Sequence, residues 1–403
     1  MDELGFLEED AHPHGGEVPF ETLRRMSAVF PINSIIALRQ NQVGEFSRPQ
    51  KTSDKLGFFI QRKIGTTEES DPERDRIATL IESGGEGGRS FYEFLRCIVR
   101  DSLVYDAVCI EVLRNRGGDV IGFRPLDPST IRKRPPETEE EEKLGVLAPD
   151  SVHYEQRVKR QTVAEFGKDD LCFGVRRPRT DLRYAGYGHP ELSELVGPLT
   201  RLLQCESYNA QTFTSGVSAN YIIAIKSKMA PNLFRTFRRD WIKMLSGANN
   251  RHRTPMIQLD PDGHEGIETH RLGENSKSME FQEWWSTLLK QICAAFCTDP
   301  AELGFNFIGE GLDRALHSPG PGEKILVSKE KGLRPLLRSV ENWMNQSIVQ
   351  QINNEYELRF CGLDAVSPKE ALDMDIQRLQ FMSVDEVRRL RGLPPVEQEQ
   401  EQE

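Results

Sequence analysis

The chain has no long apolar run. None of its hydrophobic stretches approaches the roughly 18 residues that a membrane helix requires; the longest, around Ile35 and Ile222, cover only a few positions. No membrane partner is expected. A basic N-terminal segment is missing too. Seven acidic residues precede the first base, Arg24, the reverse of a secretory leader. Cysteine is sparse, seven in 403 residues, an odd count without paired spacing. Reduced thiols and cytoplasmic synthesis are expected, with Cys293 and Cys297, four apart on an apolar helix, both in the core.

Compact catalytic signatures are also lacking. There is no Gly-x-Ser-x-Gly, no His-Glu-x-x-His, no Cys-x-x-Cys and no dinucleotide-binding glycine fingerprint after a strand. Ser83-Gly84-Gly85-Glu86-Gly87-Gly88-Arg89-Ser90 departs from a phosphate-cradling loop, with Ser83 in place of its first glycine and Arg89 in place of its lysine. The preceding segment, Pro72 to Glu82, reads as helix, whereas such a loop follows a strand. It is read as a linker. Asp260 to Glu265 faintly resembles a calcium loop, but Gln258 and Thr269 occupy its first and last ligand positions, so a hairpin turn is expected. His252, His264 and His270 match no ligand spacing. No catalytic residue, metal or cofactor is assigned. A dispersed nuclease site built from the abundant Asp and Glu remains an open alternative to a structural protein.

What is present centres on Leu192 to Pro300. Leu192, Leu195, Val196, Leu199, Leu202, Leu203, Tyr208 and Phe213 recur mostly at steps of three and four, an apolar stripe on a long helix. Pro198 should kink it or mark its first turn. A second helix, from about Ser278 to Cys297, carries Phe281, Trp284, Trp285, Leu288, Leu289, Ile292 and Phe296, and stops before Pro300. Between them lies a basic insert. Tyr221 to Ile225 reads as a strand, Asn232 to Leu245 as a helix and Met256 to Leu259 as a second strand. Residues 226–253 hold eight bases against one acid, so this insert carries +7; the chain total is −11 and the remainder therefore carries −18. Arg235, Arg238, Arg239 and Lys243 share one helical face, with Arg251 and Arg253 following. That face suits phosphate or an acidic partner, or is simply solvated.

The flanks read as α+β. A helical pattern runs from Pro19 to Gln42 with a break at Pro31. Gly57 to Ile60 is strand-like. Ser90 and Glu93 form a capping box for a helix from Phe91. Val108 to Leu113 and Val120 to Arg124 form a hairpin across Asn115 to Asp119. Short strands follow at Ile131, Val152 to Arg157, Val163 to Phe166 and Leu171 to Val175. Gly304 to Gly322, rich in Gly and Pro, is a long loop. A bent helix follows, with Gly332 and Pro335 expected to bend it, then a strand at Tyr356 to Phe360 and a helical C-terminal segment.

Several of these segments, in this order, resemble the phage portal protein family of long-tailed bacteriophages and prophages. They are Ser90-Phe91-Tyr92-Glu93-Phe94-Leu95, Asp101-Ser102-Leu103-Val104-Tyr105, Phe123-Arg124-Pro125-Leu126-Asp127-Pro128, Tyr187-Gly188-His189-Pro190-Glu191-Leu192, Ile292 to Pro300 with Leu303-Gly304, and Val384 to Pro395. The resemblance spans about residues 30 to 396. One departure is His317-Ser318-Pro319-Gly320, where relatives often carry a step rich in Ser/Thr and Tyr/Asn.

The resemblance implies an α+β portal fold. Its parts would be a disordered tail (1–18), an α/β wing (19–191), a stem helix (192–216), a small α/β clip (217–277), a second stem helix (278–299), a tunnel loop (300–322), a wing helix and strand (323–362), and a helical crown and tail (363–403). It implies a non-enzymatic virion protein, made in the host cytoplasm. A ring of such chains, a dodecamer in the family, would sit at one capsid vertex as the conduit for packaging and ejection of double-stranded DNA. It would dock the large terminase, a head-completion or adaptor protein, and the major capsid or scaffold protein. DNA-facing positions would be Phe305, Asn306, Arg314, His317 and Lys324; clip partner-binding positions would be Arg235, Arg238, Arg239, Lys243, Arg251 and Arg253. The competing readings are a packaging ATPase or nuclease using residues 83–90, and another virion structural protein.

Overall fold

The computed structural model describes residues 18–50, 55–63, 71–85, 89–134, 147, 151–159, 161–181, 184, 186–215, 221–226, 231–245, 266–271, 278–305, 321–363, 376 and 384. Helix α1 (Phe20–Ser27) buries Phe20, Leu23 and Met26, and α2 (Ile32–Gly44) buries Ile32, Ile35, Ile36 and Val43. Arg39 occupies the same buried stripe of α2, which apolar periodicity alone would not provide. Strand β1 (Gly57–Arg62) leads to α3 (Pro72–Glu82). Asp71 caps α3 by accepting the Arg74 N–H, and Pro72 fills its first position. Helix α4 (Phe91–Tyr105) starts with both halves of the Ser90–Glu93 capping box and ends at Asp106, which is left-handed with φ 48°.

Strands β2 (Val108–Arg114) and β3 (Val120–Leu126) make the expected hairpin. Asn115 Oδ1 closes its turn by accepting the N–H groups of Gly117 and Asp119. Strands β4 (Ile131–Lys133), β5 (Tyr154–Val158) and β6 (Gln161–Phe166) form a second antiparallel sheet, and β7 (Leu171–Gly174) pairs with the free side of β2. The short helix α5 (Glu191–Glu194) runs into α6 (Val196–Ser215) through Leu195. Pro198 lies in the first turn of α6, one of its two expected placements.

The insert comprises β8 (Tyr221–Lys226), α7 (Pro231–Leu245) and β9 (Gly266–Arg271), with β8 and β9 antiparallel. Strand β9 is not among the sequence expectations; the expected strand at 256–259 lies outside the described residues. Helix α8 (Ser278–Ala295) packs against α6, its Leu288, Leu289 and Ile292 joining Leu199 and Leu202 in one core. That core continues through α1 to α4 and the hairpin, which roots both long helices in the α+β body.

After the Gly/Pro-rich segment the chain returns as α9 (Pro321–Ser328), a π turn at Lys329–Leu333, α10 (Arg334–Met344), a second π turn at Asn345–Val349 and α11 (Gln350–Ile352). Of the two residues expected to bend this helix, Gly332 lies in the first π turn and Pro335 in the first turn of α10. Strand β10 (Tyr356–Cys361) pairs antiparallel with β1. Helical side chains bind the backbone of β10: Asn345 bonds both the N–H and the carbonyl of Leu358, and Glu341 accepts the N–H of Phe360. Backbone groups of an edge strand are thereby satisfied internally.

Candidate functional site at the roots of the two long helices

The first long helix starts on a buried carboxylate. Asp106 is fully buried, and its oxygens accept three backbone N–H groups: Arg176 at 3.0 Å, Arg177 at 3.0 Å and His189 at 2.9 Å. A Cβ on Gly188 would overlap the Asp106 carboxylate, so only glycine fits there. Burial pushes the Asp106 carboxyl up to about 6, with Arg176 opposing and Glu191 adding to the rise. Arg176 pairs with the buried Glu191 at the start of α5 and donates to Ser102 Oγ at 3.1 Å. Arg177 donates to Glu194 at 2.8 Å. The sequence Gly188-His189-Pro190-Glu191 is thus fixed to the end of α4 before the helix begins.

A second polar cluster ties the far end of α8. Thr298 N–H reaches the Cys293 carbonyl at 3.0 Å and Cys297 N–H the Ala294 carbonyl at 3.0 Å, a Schellman ending with Cys297 left-handed at φ 48°. That conformation turns the Cys297 side chain outward. Contrary to expectation it is exposed, while Cys293 is buried. The Cys297 carbonyl accepts Arg39 Nη2 at 3.1 Å, and Thr298 Oγ1 accepts the same nitrogen at 2.9 Å. Arg39 Nη1 donates to Gln42 at 2.7 Å and to Glu302 Oε2 at 3.3 Å.

Both side chains of the Arg39–Glu302 pair are 2% exposed. Burial pulls the Arg39 guanidinium below its ordinary value, against the neighbouring Glu302 charge. Gln42 donates to Glu302 at 2.8 Å, Ser328 donates to the other Glu302 oxygen, and Ser328 Oγ accepts the Asp299 N–H at 2.9 Å. A Cβ on Gly332 would lie 2.5 Å from both Arg39 Nη2 and the Cys297 carbonyl. The widened π turn therefore brings bare backbone against the ion pair. None of Arg39, Glu302 or Ser328 is among the sequence candidates. The signal available was one arginine within the Ile32-Ile35-Ile36-Val43 stripe.

Among the DNA-facing candidates, Phe305 packs edge-on against Phe30 at 6.1 Å and Trp285 at 6.3 Å between ring centroids. Lys324 is exposed on α9. Asn306, Arg314 and His317 lie outside the described residues, as do Arg251 and Arg253. Arg235, Arg238, Arg239 and Lys243 are all exposed on α7, so the structure places four basic side chains of the insert on one helix in solvent. Arg239 contacts the acid Asp240 at 3.4 Å.

The expected apolar stripe of α6 divides. Leu199 and Leu202 are buried, while Val196 and Leu203 are exposed. Trp284 on α8 is 46% exposed, and Leu326 and Val327 on α9 are 63% and 45% exposed. All five belong to the long helices or to the return helix.

The glycine-rich segment at 83–90 follows helix α3, not a strand. Gly84 and Gly85 have φ +69° and +84°, and a Cβ on Gly85 would collide with the Phe123 carbonyl. Gly85 serves a close backbone crossing on β3 and Gly84 one on the Arg89–Phe91 backbone at the start of α4, which differs from the strand–loop–helix context of a phosphate loop.

A family model described as phage portal protein matches residues 55–392. A probable portal protein of Staphylococcus phage Twort is 28% identical over 383 residues, covering 91% of this chain and 65% of that protein. A probable portal protein of Enterococcus phage phiEF24C is 28% identical over 393 residues, covering 93% of this chain and 66% of that protein. The chain thus spans slightly less than two thirds of the length of these curated relatives. The fold is similar to a chain in the neck of an empty gene transfer agent particle computed with C6 symmetry (TM-score 0.60, 18% identity, 94% of each chain covered). It is also similar to one in the native particle's neck computed with C12 symmetry (TM-score 0.58, 17% identity, 93% of each).

Proposed function

The chain belongs to the phage portal protein family, and from that membership we propose that copies of it close into a ring, a dodecamer, at one capsid vertex. Double-stranded DNA passes through the ring during packaging and ejection. Residues 19–191 and 323–362 form the wing, α6 and α8 the stem, 217–277 the clip, 300–322 the tunnel loop and 363–403 the crown. The observation that carries the ring is the distribution of exposed apolar side chains. Val196, Leu203, Trp284, Leu326 and Val327 give the stem and return helices apolar surface that neighbouring copies would cover. The neck of the similar C12 particle offers the matching symmetry.

The basic face of α7 docks acidic surfaces of the terminase motor and, later, of a head–tail adaptor. The wing contacts the capsid or scaffold protein. The excess of negative charge outside the insert keeps the DNA path weakly adhesive, since phosphate affinity grows with the number of neutralised contacts. The protein acts as a structural conduit rather than an enzyme; the motor supplies ATP hydrolysis.

The test is the mass of the purified full chain in solution, with negative-stain images of the same sample. A closed ring of roughly a dozen subunits with a central hole is expected. A monomer that binds ATP would overturn the proposal. Trp284→Glu and Leu326→Glu should each shift the population from ring to monomer while leaving the fold intact.

A further inference from the structure

We propose that Arg39 is a positioning residue for the DNA-facing segment: through Glu302, Thr298 and the Cys297 carbonyl it holds together, on α2, the two described stretches that flank it, Cys297–Glu302 and Ser328–Gly332. This rests on the portal reading for the role of that segment, and on the described residues alone for the geometry. On the outgoing side the chain passes Cys297, Thr298 and Glu302, all bonded to Arg39, and then Phe305, whose ring meets Phe30 and Trp285. On the returning side Ser328 donates to the same Glu302, and the Gly332 backbone lies against the Arg39 guanidinium with no room for a Cβ. One ion pair therefore receives both strands of the chain.

A buried ion pair is a poor source of stability, because an apolar replacement of similar volume often serves as well. What the guanidinium adds is direction. Its planar fork fixes several acceptors at once, here a carbonyl, a hydroxyl, an amide oxygen and a carboxylate. With Cys297–Glu302 and Ser328–Gly332 both held at Arg39, a load on the chain between them would pass into the core beneath α2 instead of separating the two stretches. Grip on DNA sliding through the ring would then depend on Arg39, although Arg39 is buried and cannot touch DNA.

The experiment compares Arg39→Lys, Glu302→Gln and Ser328→Ala with the full-length wild type. Amide hydrogen exchange is followed over residues 294–305 and 321–334, and DNA content is measured in particles assembled with each protein. In Arg39→Lys and Glu302→Gln, exchange should rise about tenfold in both segments together, with the β2–β3 hairpin unchanged. Rings should keep their mass and particles should lose most of their DNA. A rise confined to one segment overturns the coupling, and a rise in both with DNA retained as in wild type overturns the positioning role. Should Arg39→Lys fail to assemble, Ser328→Ala decides, since it removes the return side's bonds to Glu302 and to the Asp299 N–H and leaves Arg39's own bonds in place: unchanged exchange over 321–334 overturns the proposal. Absence of rings from the wild type would sink the portal reading alone, because the exchange coupling is read on the chain itself.

Discussion

The Tyr356 hydroxyl donates to Asp71 Oδ2 at 2.7 Å, joining the last described strand to the cap of α3 across 285 residues. Burial alone would raise the Asp71 carboxyl. The Tyr356 bond, the Arg74 N–H and the Arg62 charge outweigh it and hold the group below its ordinary 3.8. Arg62 completes the cluster, its Nε on the Tyr356 hydroxyl at 3.2 Å and 3.4 Å from Asp71.

Tyr356→Phe should therefore cost about 1.5–3 kcal/mol near neutral pH, the range for a hydrogen bond to a charged group. A carboxyl whose folded pKa is depressed contributes stability above its unfolded value, and that stability is lost as pH falls through the folded value. The difference between wild type and Tyr356→Phe in urea unfolding should be constant from pH 5 to 8 and shrink below about pH 4. A difference that grew in acid would contradict the assignment.

At the root of the first long helix, Asp106→Ala leaves three buried N–H donors without their acceptor and should cost at least about 3 kcal/mol. Gly188→Ala pushes a methyl into the same carboxylate and should cost about 1–3 kcal/mol. Thermal unfolding of the two single variants and the double variant checks both. Truncating Asp106 removes the carboxylate half of the clash but leaves its backbone carbonyl against the added methyl, so the double variant should fall only slightly short of the sum of the singles.

Arg39→Met alone strands the Glu302 charge in the core and should destabilise by about 3–5 kcal/mol. Adding Glu302→Leu removes the stranded charge and should recover most of that loss. Chemical denaturation reads both; a double variant as unstable as Arg39→Met would mean that the surrounding bonds from Gln42 and Ser328 dominate.

Substituting Arg235, Arg238, Arg239 and Lys243 with Glu should leave the far-UV spectrum and melting temperature unchanged, because all four side chains are in solvent. Association with an acidic docking partner should slow, and its dependence on ionic strength should weaken or reverse. Stopped-flow measurements at two salt concentrations test this.

Thiol labelling gives an independent check on the helix ending. The thiolate is the reactive species. Burial raises the Cys109 thiol well above 9 and the Cys293 thiol to about 11. In the unassembled chain an alkylating reagent should modify the exposed Cys297 early, and Cys109 and Cys293 only on unfolding. Peptide mapping by mass spectrometry distinguishes the sites.

Local signals made much of the fold legible. Ser90 with Glu93, and Asn115 to Asp119, mark element ends through side-chain bonds to nearby backbone, so short windows of sequence contain them. Strand β9 was missed because Gly266-Ile267-Glu268-Thr269-His270-Arg271 has a single aliphatic residue; its pairing with the apolar β8 comes from the partner. Cys297 looked like core because apolar periodicity does not register that the helix has ended in a left-handed residue. The Arg39–Glu302 pair spans 263 residues, and sequence displays only its two halves, one as an anomaly in an apolar stripe and the other as an ordinary surface acid. The basic face of α7 was legible because charge and helical period act within one element.

The pairing of β1 with β10 also sets an order of events during synthesis. Arg62 and Tyr356 meet across 294 residues, so β1 leaves the ribosome long before its partner is made, by roughly 15–60 s at usual elongation rates. Throughout that interval the body of the nascent chain has an open strand edge while α6 to α8 are still being translated. Only a chain that has completed its excursion can close the clasp, so truncated products keep an unpaired edge and remain marked as unfinished.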